Sequence, residues 1–219
     1  MTASRAAHRF PMNEADERIN EALPLFPLRT VLFPDGLLPL KVFEQRYIDM
    51  TKACLRDGRP FGVCLITRGD EVARGDGALP EIATIGTLAR IVNIDMPQLG
   101  IFYVSTIGGQ RFRVQSHAAN ACDAMVAQVT MLDDEPRVPL AGSHAPLARI
   151  LKVIASRLGP GNFPSEVHYD DATWVGHRLA ELLPLPLSIK QSMLEVNDAN
   201  VRLAALAQFL ERQGLLHAV

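Results

Sequence analysis

The sequence predicts an α+β fold in which a β-rich lobe is followed by an all-α lobe. Before about residue 135, short apolar or alternating runs are separated by Gly, Pro and Asp, which is typical of strands and turns. After Pro139, the apolar residues recur at helical spacing. The chain has 219 residues, of which 48% are hydrophobic and 21% charged, and this composition indicates a globular protein rather than a disordered one.

The first lobe is predicted to contain seven strands. They are Leu25 to Leu28, Leu37 to Val42, Phe61 to Thr67, Ile82 to Ile94, Ile101 to Ile107, Arg111 to His117 and Met125 to Leu132. Gly86 lies in a β-branched run and predicts a bulge or a close approach of two backbones. The Gly108-Gly109 pair predicts a hairpin between the fifth and sixth of these strands.

A turn and a helix are predicted around the second strand. The sequence Pro34-Asp35-Gly36 favours a turn in which Gly36 takes a positive φ. An apolar stripe at helical spacing then predicts one helix, with Gly58 as its C-terminal cap. The stripe consists of Phe43, Tyr47, Met50 and Cys54.

Four helices are predicted in the second lobe. The first carries an apolar stripe from Leu147 to Leu158 and stops at the following Gly-Pro pair. Asp171 is placed to cap the second helix, and Asp198 the fourth. Ser188, with Gln191 three residues later, is typical of a capping box for the third.

The lobes have predicted limits of 23–134 and 143–214, preceded by a polar leader over residues 1–22. The acidic run from Asp133 to Glu135 is expected to be a solvated linker. The leader lacks the apolar region of a signal peptide, and no apolar run is long enough to span a membrane. We therefore expect a cytoplasmic protein with no membrane partner. The net charge of −2 gives no global basic field for nucleic acid.

No cofactor or metal site is expected. The sequence has no P-loop and no dinucleotide-binding glycine pattern. The three cysteines are too far apart for a zinc knuckle and are expected to be free thiols in a reducing compartment. Two histidines and two aspartates within ten residues resemble a metal site. We favour the alternative that the aspartates cap a helix and the second histidine is solvated. The group consists of His168, Asp170, Asp171 and His177.

One enzymatic alternative stays open from the residues. Ser188 and Lys190 have a spacing that some serine hydrolases use for a lysine-activated nucleophile. At the start of a helix, the serine hydroxyl is more simply used to cap the backbone. A hydrolase or small-molecule-binding enzyme that uses the cleft between the lobes is therefore kept as the alternative function.

Three blocks in the same order resemble the N-terminal (LON substrate-binding) domain of Lon proteases. The first is LPLFPLRTVLFPDGLLPLKVFEQRYIDM at 23–50, and the second combines GTLARIVNIDM at 86–96 with GGQRFRV at 108–114. The third is the helical end, which includes KQSMLE and two Arg-Leu pairs. The resemblance covers residues 23–213. It implies a β-rich pseudo-barrel lobe followed by a helical-bundle lobe.

The resemblance also implies a function. In Lon, this domain is followed by ATPase and protease modules, and the present sequence contains neither motif set, like the stand-alone LON-domain proteins of bacteria. The expected function is thus a non-catalytic protein- or peptide-binding module that lacks cofactors. Its expected partners are unfolded protein or peptide segments, and the sequence leaves open whether a separate protease is a second partner.

A client-binding surface is hypothesised around the proline-rich turn and the start of the first helix. Exposed turns and strand edges are places where an extended peptide can bind. Alternation along the strand requires one of its first two leucines to point away from the core. The competing interpretation is that Arg46 pairs within the fold. The candidate residues are Asp35, Leu37, Leu38, Glu44, Gln45 and Arg46.

Overall fold

The structure is a computed structural model that describes residues 22–71, 79–159 and 161–216. The expected leader over residues 1–22 lies outside the described residues, apart from Ala22. The strands are β1 (Leu23–Leu28), β2 (Leu37–Val42), β3 (Phe61–Arg68), β4 (Glu81–Ile82), β5 (Ile85–Gln98), β6 (Ile101–Ala119) and β7 (Met125–Met131). The helices are α1 (Gln45–Asp57), α2 (Ala145–Leu158), α3 (Ala172–Leu182), α4 (Leu187–Glu195) and α5 (Ala199–Arg212). This order confirms the predicted α+β fold.

Five of the strands close into a ring, which confirms the pseudo-barrel. β1 pairs in parallel with β3 and in antiparallel with the start of β7. Antiparallel pairing then continues from β7 through β6 and β5 back to β3. β2 is added outside this ring, on the first half of β6, and the short β4 is added on β3.

The predicted hairpin at Gly108-Gly109 is wrong. β6 runs without interruption from Ile101 to Ala119, and its hairpin with β5 turns instead at Leu99-Gly100. A Cβ atom on Gly108 would lie 2.1 Å from the backbone oxygen of Phe33. Gly108 therefore permits a close contact between two segments that are remote in sequence. Gly86 is predicted correctly, because a Cβ there would lie 2.6 Å from the Val63 oxygen.

The turn before β2 forms as predicted but uses its residues differently. Asp35, rather than Gly36, has the positive φ, at 60°. Aspartate tolerates this left-handed conformation better than most residues. Gly36 is required for space instead, since a Cβ on it would lie 2.8 Å from the Phe33 oxygen.

Three of the predicted helix caps are confirmed, and one is wrong. The Asp171 and Asp198 carboxylates accept backbone N–H groups at the starts of α3 and α5, and Gly58 ends α1 with a φ of 63°. Ser188 caps no helix, because α4 already begins at Leu187. Its predicted capping partner, Gln191, donates instead to the backbone oxygen of Ile85, at 3.0 Å.

The stripe that predicts α1 is correct except at its first member. Tyr47, Met50 and Cys54 are buried against the inner face of β2 and β6. Phe43 precedes the N-terminal cap of the helix, Glu44, and is 55% exposed. The backbone is still extended at Glu44, so the helix has not begun at Phe43 and helical spacing does not apply to it.

The two lobes share one apolar core. Phe33, Leu65 and Ile85 from the β-rich part pack in a single cluster with residues of the helices, such as Leu179 and Leu203. The segment between the lobes is also held in place, because Val138 and Leu140 form backbone hydrogen bonds to the start of α3. The limits 23–134 and 143–214 stay predictions. Among the described residues, no helix has the length and apolar content needed to cross a membrane.

Candidate client-binding surface

The outer face of three neighbouring strands is the candidate site. β2, the first half of β6 and the second half of β5 form an antiparallel sheet outside the closed ring. Val42, Phe102 and Val104 line its inner face, which α1 covers. Since side chains alternate along a strand, their neighbours in sequence point outward.

The strand register places the outward side chains in three rows across the sheet. Paired residues of an antiparallel sheet lie on the same face, so each row contains one residue from each strand. We call this surface the β2–β6–β5 face. Its rows are Leu37, Ile107 and Arg90; Pro39, Ser105 and Asn93; and Lys41, Tyr103 and Asp95.

Exposed apolar side chains are concentrated on and beside this face. Five of the eleven large hydrophobic residues that the structure shows as exposed lie on these strands or next to them: on β5, in its turn to β6, on β6 and directly after β2. Of the five, Tyr103 belongs to the three rows of the face, whereas Met96 follows the outward Asp95 and alternates to the other side. Such a concentration is typical of an interaction surface, whereas single exposed hydrophobic residues are ordinary. The five are Phe43 (55% exposed), Val92 (47%), Met96 (51%), Leu99 (90%) and Tyr103 (46%).

The residues predicted for client binding lie at the two ends of β2 rather than together. Asp35 and Leu37 are at the beginning of the strand, and Glu44 to Arg46 follow its end. Five residue steps of extended chain separate Leu37 from Val42, which is about 17 Å. Leu38 packs against the inner core and is excluded from the outer surface, so Leu37 is the outward residue of the two.

Arg46 is held within the fold, as the competing interpretation expects. Its guanidinium lies 3.0 Å from the carboxylate of Glu44 and 4.5 Å from the centre of the Tyr47 ring. It also donates to the backbone oxygens of Asp123 and Glu71, at 3.2 and 3.3 Å. These contacts use the charge of Arg46 to fix the start of α1.

The turn at the other end of β2 is anchored to α3. The Arg178 guanidinium is fully buried, donates to the Pro34 oxygen at 2.6 Å, and lies 2.8 Å from the carboxylate of Glu181. That carboxylate also accepts the backbone N–H of Leu37. Asp35 itself is exposed beside this anchor.

Ser188 and Lys190 do not form a catalytic pair. Residues two apart on a helix point to nearly opposite sides. The Lys190 ammonium donates to the backbone oxygen of Glu181, at 2.5 Å, and Ser188 is exposed. Burial lowers the pKa of Lys190, but no serine hydroxyl lies next to it to be activated.

A buried ionic cluster that sequence reasoning missed joins the two lobes. The Glu135 side chain is only 5% exposed and accepts two hydrogen bonds from Arg202, at 2.7 and 3.0 Å. The Arg111 guanidinium and the His177 ring nitrogen lie 3.2 and 3.3 Å from the same carboxylate. The expected solvation of Glu135 and His177 is therefore wrong. Asp134 is exposed, as predicted.

Within the cluster, His177 and Glu135 have pKa values below neutral pH. Complete burial lowers the pKa of His177 to about 4, and the charges of Arg202 and Arg178 act in the same direction, against Glu135. Burial alone would raise the pKa of Glu135, but the neighbouring His177 and Arg202 outweigh it and lower the pKa to about 2. No group of three metal-ligating side chains occurs among the residues that the structure describes.

His177 makes stability depend on pH. Its folded pKa is below the unfolded value, so its contribution is complete above about pH 6.5 and is lost as the pH falls toward 4. Over this range, the free energy of unfolding of the wild type is expected to fall as the pH is lowered. The fall is expected to be steeper than that of a His177→Gln variant by up to about 1.4 kcal/mol per pH unit. Urea unfolding of both proteins at pH 7, 5.5 and 4.5 measures the difference. Parallel curves would contradict the assignment.

Comparison with known protein families identifies the fold. The family model of the ATP-dependent protease La (LON) substrate-binding domain matches residues 22–212. The chain belongs to this family. Lon protease 2 of Myxococcus xanthus is 28% identical over 205 residues, and the Lon protease of Anaeromyxobacter dehalogenans is 30% identical over 207. Each match covers 90% of this chain and 24% of the relative, so the chain spans about a quarter of the length of these LON-family proteases.

Two solved LON-family structures are similar. A Lon N-terminal domain protein from Xanthomonas campestris superposes with a TM-score of 0.68 and 34% identity, covering 86% of this chain and 98% of the other. The N-terminal domain of Mycobacterium avium complex Lon protease has a TM-score of 0.56 and 16% identity, covering 87% and 98%. The second similarity is evidence for the fold alone.

Proposed function

We propose that this LON-family domain binds extended, unfolded protein segments through the β2–β6–β5 face. The observation that carries the proposal is the concentration of exposed apolar side chains on and next to these three strands, with Tyr103 on the face itself, in a chain whose family is described as substrate-binding. Leu37 lies within the proposed surface. Asp35 at one end of β2, and Glu44, Gln45 and Arg46 at the other, mark its limits.

The chemistry of the face suits unfolded clients. Unfolded chains expose the aliphatic and aromatic side chains that a folded protein buries, and Tyr103 and Phe43 offer large apolar contacts for them. Lys41, Arg90 and Asp95 surround these contacts with both signs of charge, which bias the choice of segment more than they add affinity.

The proposal assigns no catalysis to this domain. The match is to a substrate-binding domain, and the Ser188 and Lys190 arrangement lacks the contact that a hydrolase would need. Because the relatives are proteases, we propose a separate protease as the partner that receives the bound segments.

Substituting two aromatic residues tests the surface. We expect a Phe43→Ser/Tyr103→Ser variant to bind reduced, carboxymethylated α-lactalbumin at least about tenfold more weakly, because each substitution removes a large apolar contact. Fluorescence anisotropy of the labelled client gives the Kd. Native α-lactalbumin, which is folded, is expected not to bind.

The matched control is Val201→Ser, because Val201 lies on α5 and is as exposed as Phe43, at 55%. This variant is expected to bind the unfolded client like the wild type. Equal affinities for the wild type and the aromatic double variant, at unchanged thermal midpoints, would reject the proposed surface. Absence of any binding by the wild type would reject the proposed function itself.

A further inference from the structure

β2 has one edge that no described strand covers. It pairs only with β6, over Leu37 to Val42, without a register shift. The backbone N–H of Gly108 donates to the oxygen of Gly36, at 2.8 Å, and this bond fixes which residues face β6. In an antiparallel pair the hydrogen-bonded positions alternate, so Leu38, Leu40 and Val42 bond to β6.

The remaining residues of β2, Leu37, Pro39 and Lys41, therefore direct their backbone groups to the open edge. The Leu37 N–H is already donated to the Glu181 carboxylate, and Pro39 has no N–H. Along this edge of β2, the N–H of Lys41 is therefore the one backbone donor that has no partner among the described residues. All three carbonyl oxygens lack a partner among the described residues.

We propose that a client segment adds to this edge as a further, antiparallel strand, hydrogen-bonded through its main chain. This inference rests on the proposed function and specifies its binding mode. The three carbonyls are spaced by about 6.8 Å, which is also the spacing of the N–H groups on one side of an extended chain. The client donates N–H groups to the carbonyls of Pro39 and Lys41, and its carbonyl opposite Lys41 accepts the single returning bond, while at Leu37 the Glu181 carboxylate already occupies the edge.

The same pattern opposes pairing of β2 with a second copy of itself. In the register that places Pro39 opposite Pro39, two such edges would bring carbonyl against carbonyl, because neither copy can donate there. Proline on edge strands is a known means of preventing edge-to-edge association. An added client strand, by contrast, supplies a complete set of donors. Half of its side chains then extend the β2–β6–β5 face beside Lys41 and Pro39.

The consequence is a selectivity based on the backbone of the client. A segment needs free N–H groups at the two alternate positions opposite Pro39 and Lys41, so a proline at either of them removes one hydrogen bond. The outward side chains set a second, apolar preference. A segment with alternating β-branched residues and no proline is the client chemistry that this edge fits.

Two substitutions at Lys41 distinguish the contribution of its backbone N–H to client binding from that of its side chain. Lys41→Pro removes the edge N–H but no bond to β6, whereas Lys41→Ala removes the charge and keeps the N–H. With carboxymethylated α-lactalbumin as probe, we expect at least about a tenfold loss of affinity for the proline variant relative to the alanine variant. Thermal midpoints are measured for both.

Equal affinities of the two Lys41 variants would overturn strand addition. If the Phe43→Ser/Tyr103→Ser variant still loses binding in that case, the proposed function stands and only its binding mode is wrong. Size-exclusion chromatography with light scattering is expected to show that the protein does not self-associate through this edge. A dimer that Lys41→Pro dissociates would instead assign the edge to a second copy and overturn the proposal.

A second measurement uses the wild-type protein, so it does not depend on how the proline variant folds. The probe is a capped eight-residue peptide of alternating valine and threonine. N-methylation of every second amide removes the donors from one side of the extended peptide. We expect one methylated set to lose at least about tenfold in affinity and the other to stay within about threefold. Equal loss for both sets, or no binding of the unmethylated peptide, would contradict strand addition.

Discussion

Gly108→Ala is expected to destabilise the protein by about 3 kcal/mol, because the added methyl group has no space. Its carbon would lie 2.1 Å from the backbone oxygen of Phe33, and that oxygen belongs to the turn that leads into β2. Backbone atoms cannot rotate away as the end of a side chain can. For a protein of this size, such a loss lowers the thermal midpoint by roughly 6 to 12 °C.

The adjacent glycine provides the control for this prediction. A Cβ on Gly109 would lie no closer than 3.6 Å to any neighbouring atom, which is an ordinary contact. Gly109→Ala is therefore expected to change stability by no more than about 0.5 kcal/mol. Urea unfolding of both variants measures the difference. Similar stabilities for the two would show that β6 does not approach Phe33 as closely as described.

Glu135→Ala is expected to destabilise the protein by about 3 to 5 kcal/mol, because it leaves two buried guanidinium groups without their shared carboxylate. The side chains of Arg111 and Arg202 are 2% and 0% exposed. Their remaining hydrogen bonds go to neutral groups, mainly backbone oxygens at and beyond the end of α4. Neutral acceptors do not replace the lost negative charge.

Two further variants separate charge from packing at this position. Glu135→Gln keeps the volume and removes the charge, so it is expected to lose most of the same stability. Asp134→Ala removes an exposed carboxylate next to it and is expected to change stability by no more than about 0.5 kcal/mol. A small effect of Glu135→Gln, measured by urea unfolding, would assign the role of Glu135 to packing alone.

The sequence predicted those parts of the fold that depend on neighbouring residues. Asp171 and Asp198 cap helices whose N–H groups follow two and three positions later, so the signal is local. Gly58 ends α1 for a similarly local reason. The alternation of apolar residues identified most strands because one face of each is buried. That these strands close into a ring was implied only by the resemblance of three sequence blocks to the LON family.

The errors at Gly108 and Glu135 have in common that the deciding contact is distant in sequence. Gly108-Gly109 has the composition of a hairpin, yet Gly108 is required by Phe33, 75 positions earlier. Glu135 sits in an acidic run, and nothing local indicates that Arg202 reaches it across the lobes. The error at Phe43 is local instead, because Glu44 is the N-terminal cap position of α1 and Phe43 therefore lies before the helix.

The candidate site was located only in part for the same reason. Leu37 belongs to the outer face, but local sequence could not decide between Leu37 and Leu38, because that choice depends on the register with β6. Tyr103 was not proposed, although it alternates with buried residues on its strand and is thus expected to point outward. The register between β2, β6 and β5 is what brings it beside Lys41.

Hydrogen–deuterium exchange tests most directly where the client binds. The protein is compared alone and with saturating carboxymethylated α-lactalbumin, and exchange is followed by mass spectrometry. The account predicts slower exchange within residues 37–43 and 101–107, including the edge amide of Lys41, and no change in α2 or α5. Slower exchange confined to the helices, with β2 and β6 unaffected, would contradict it.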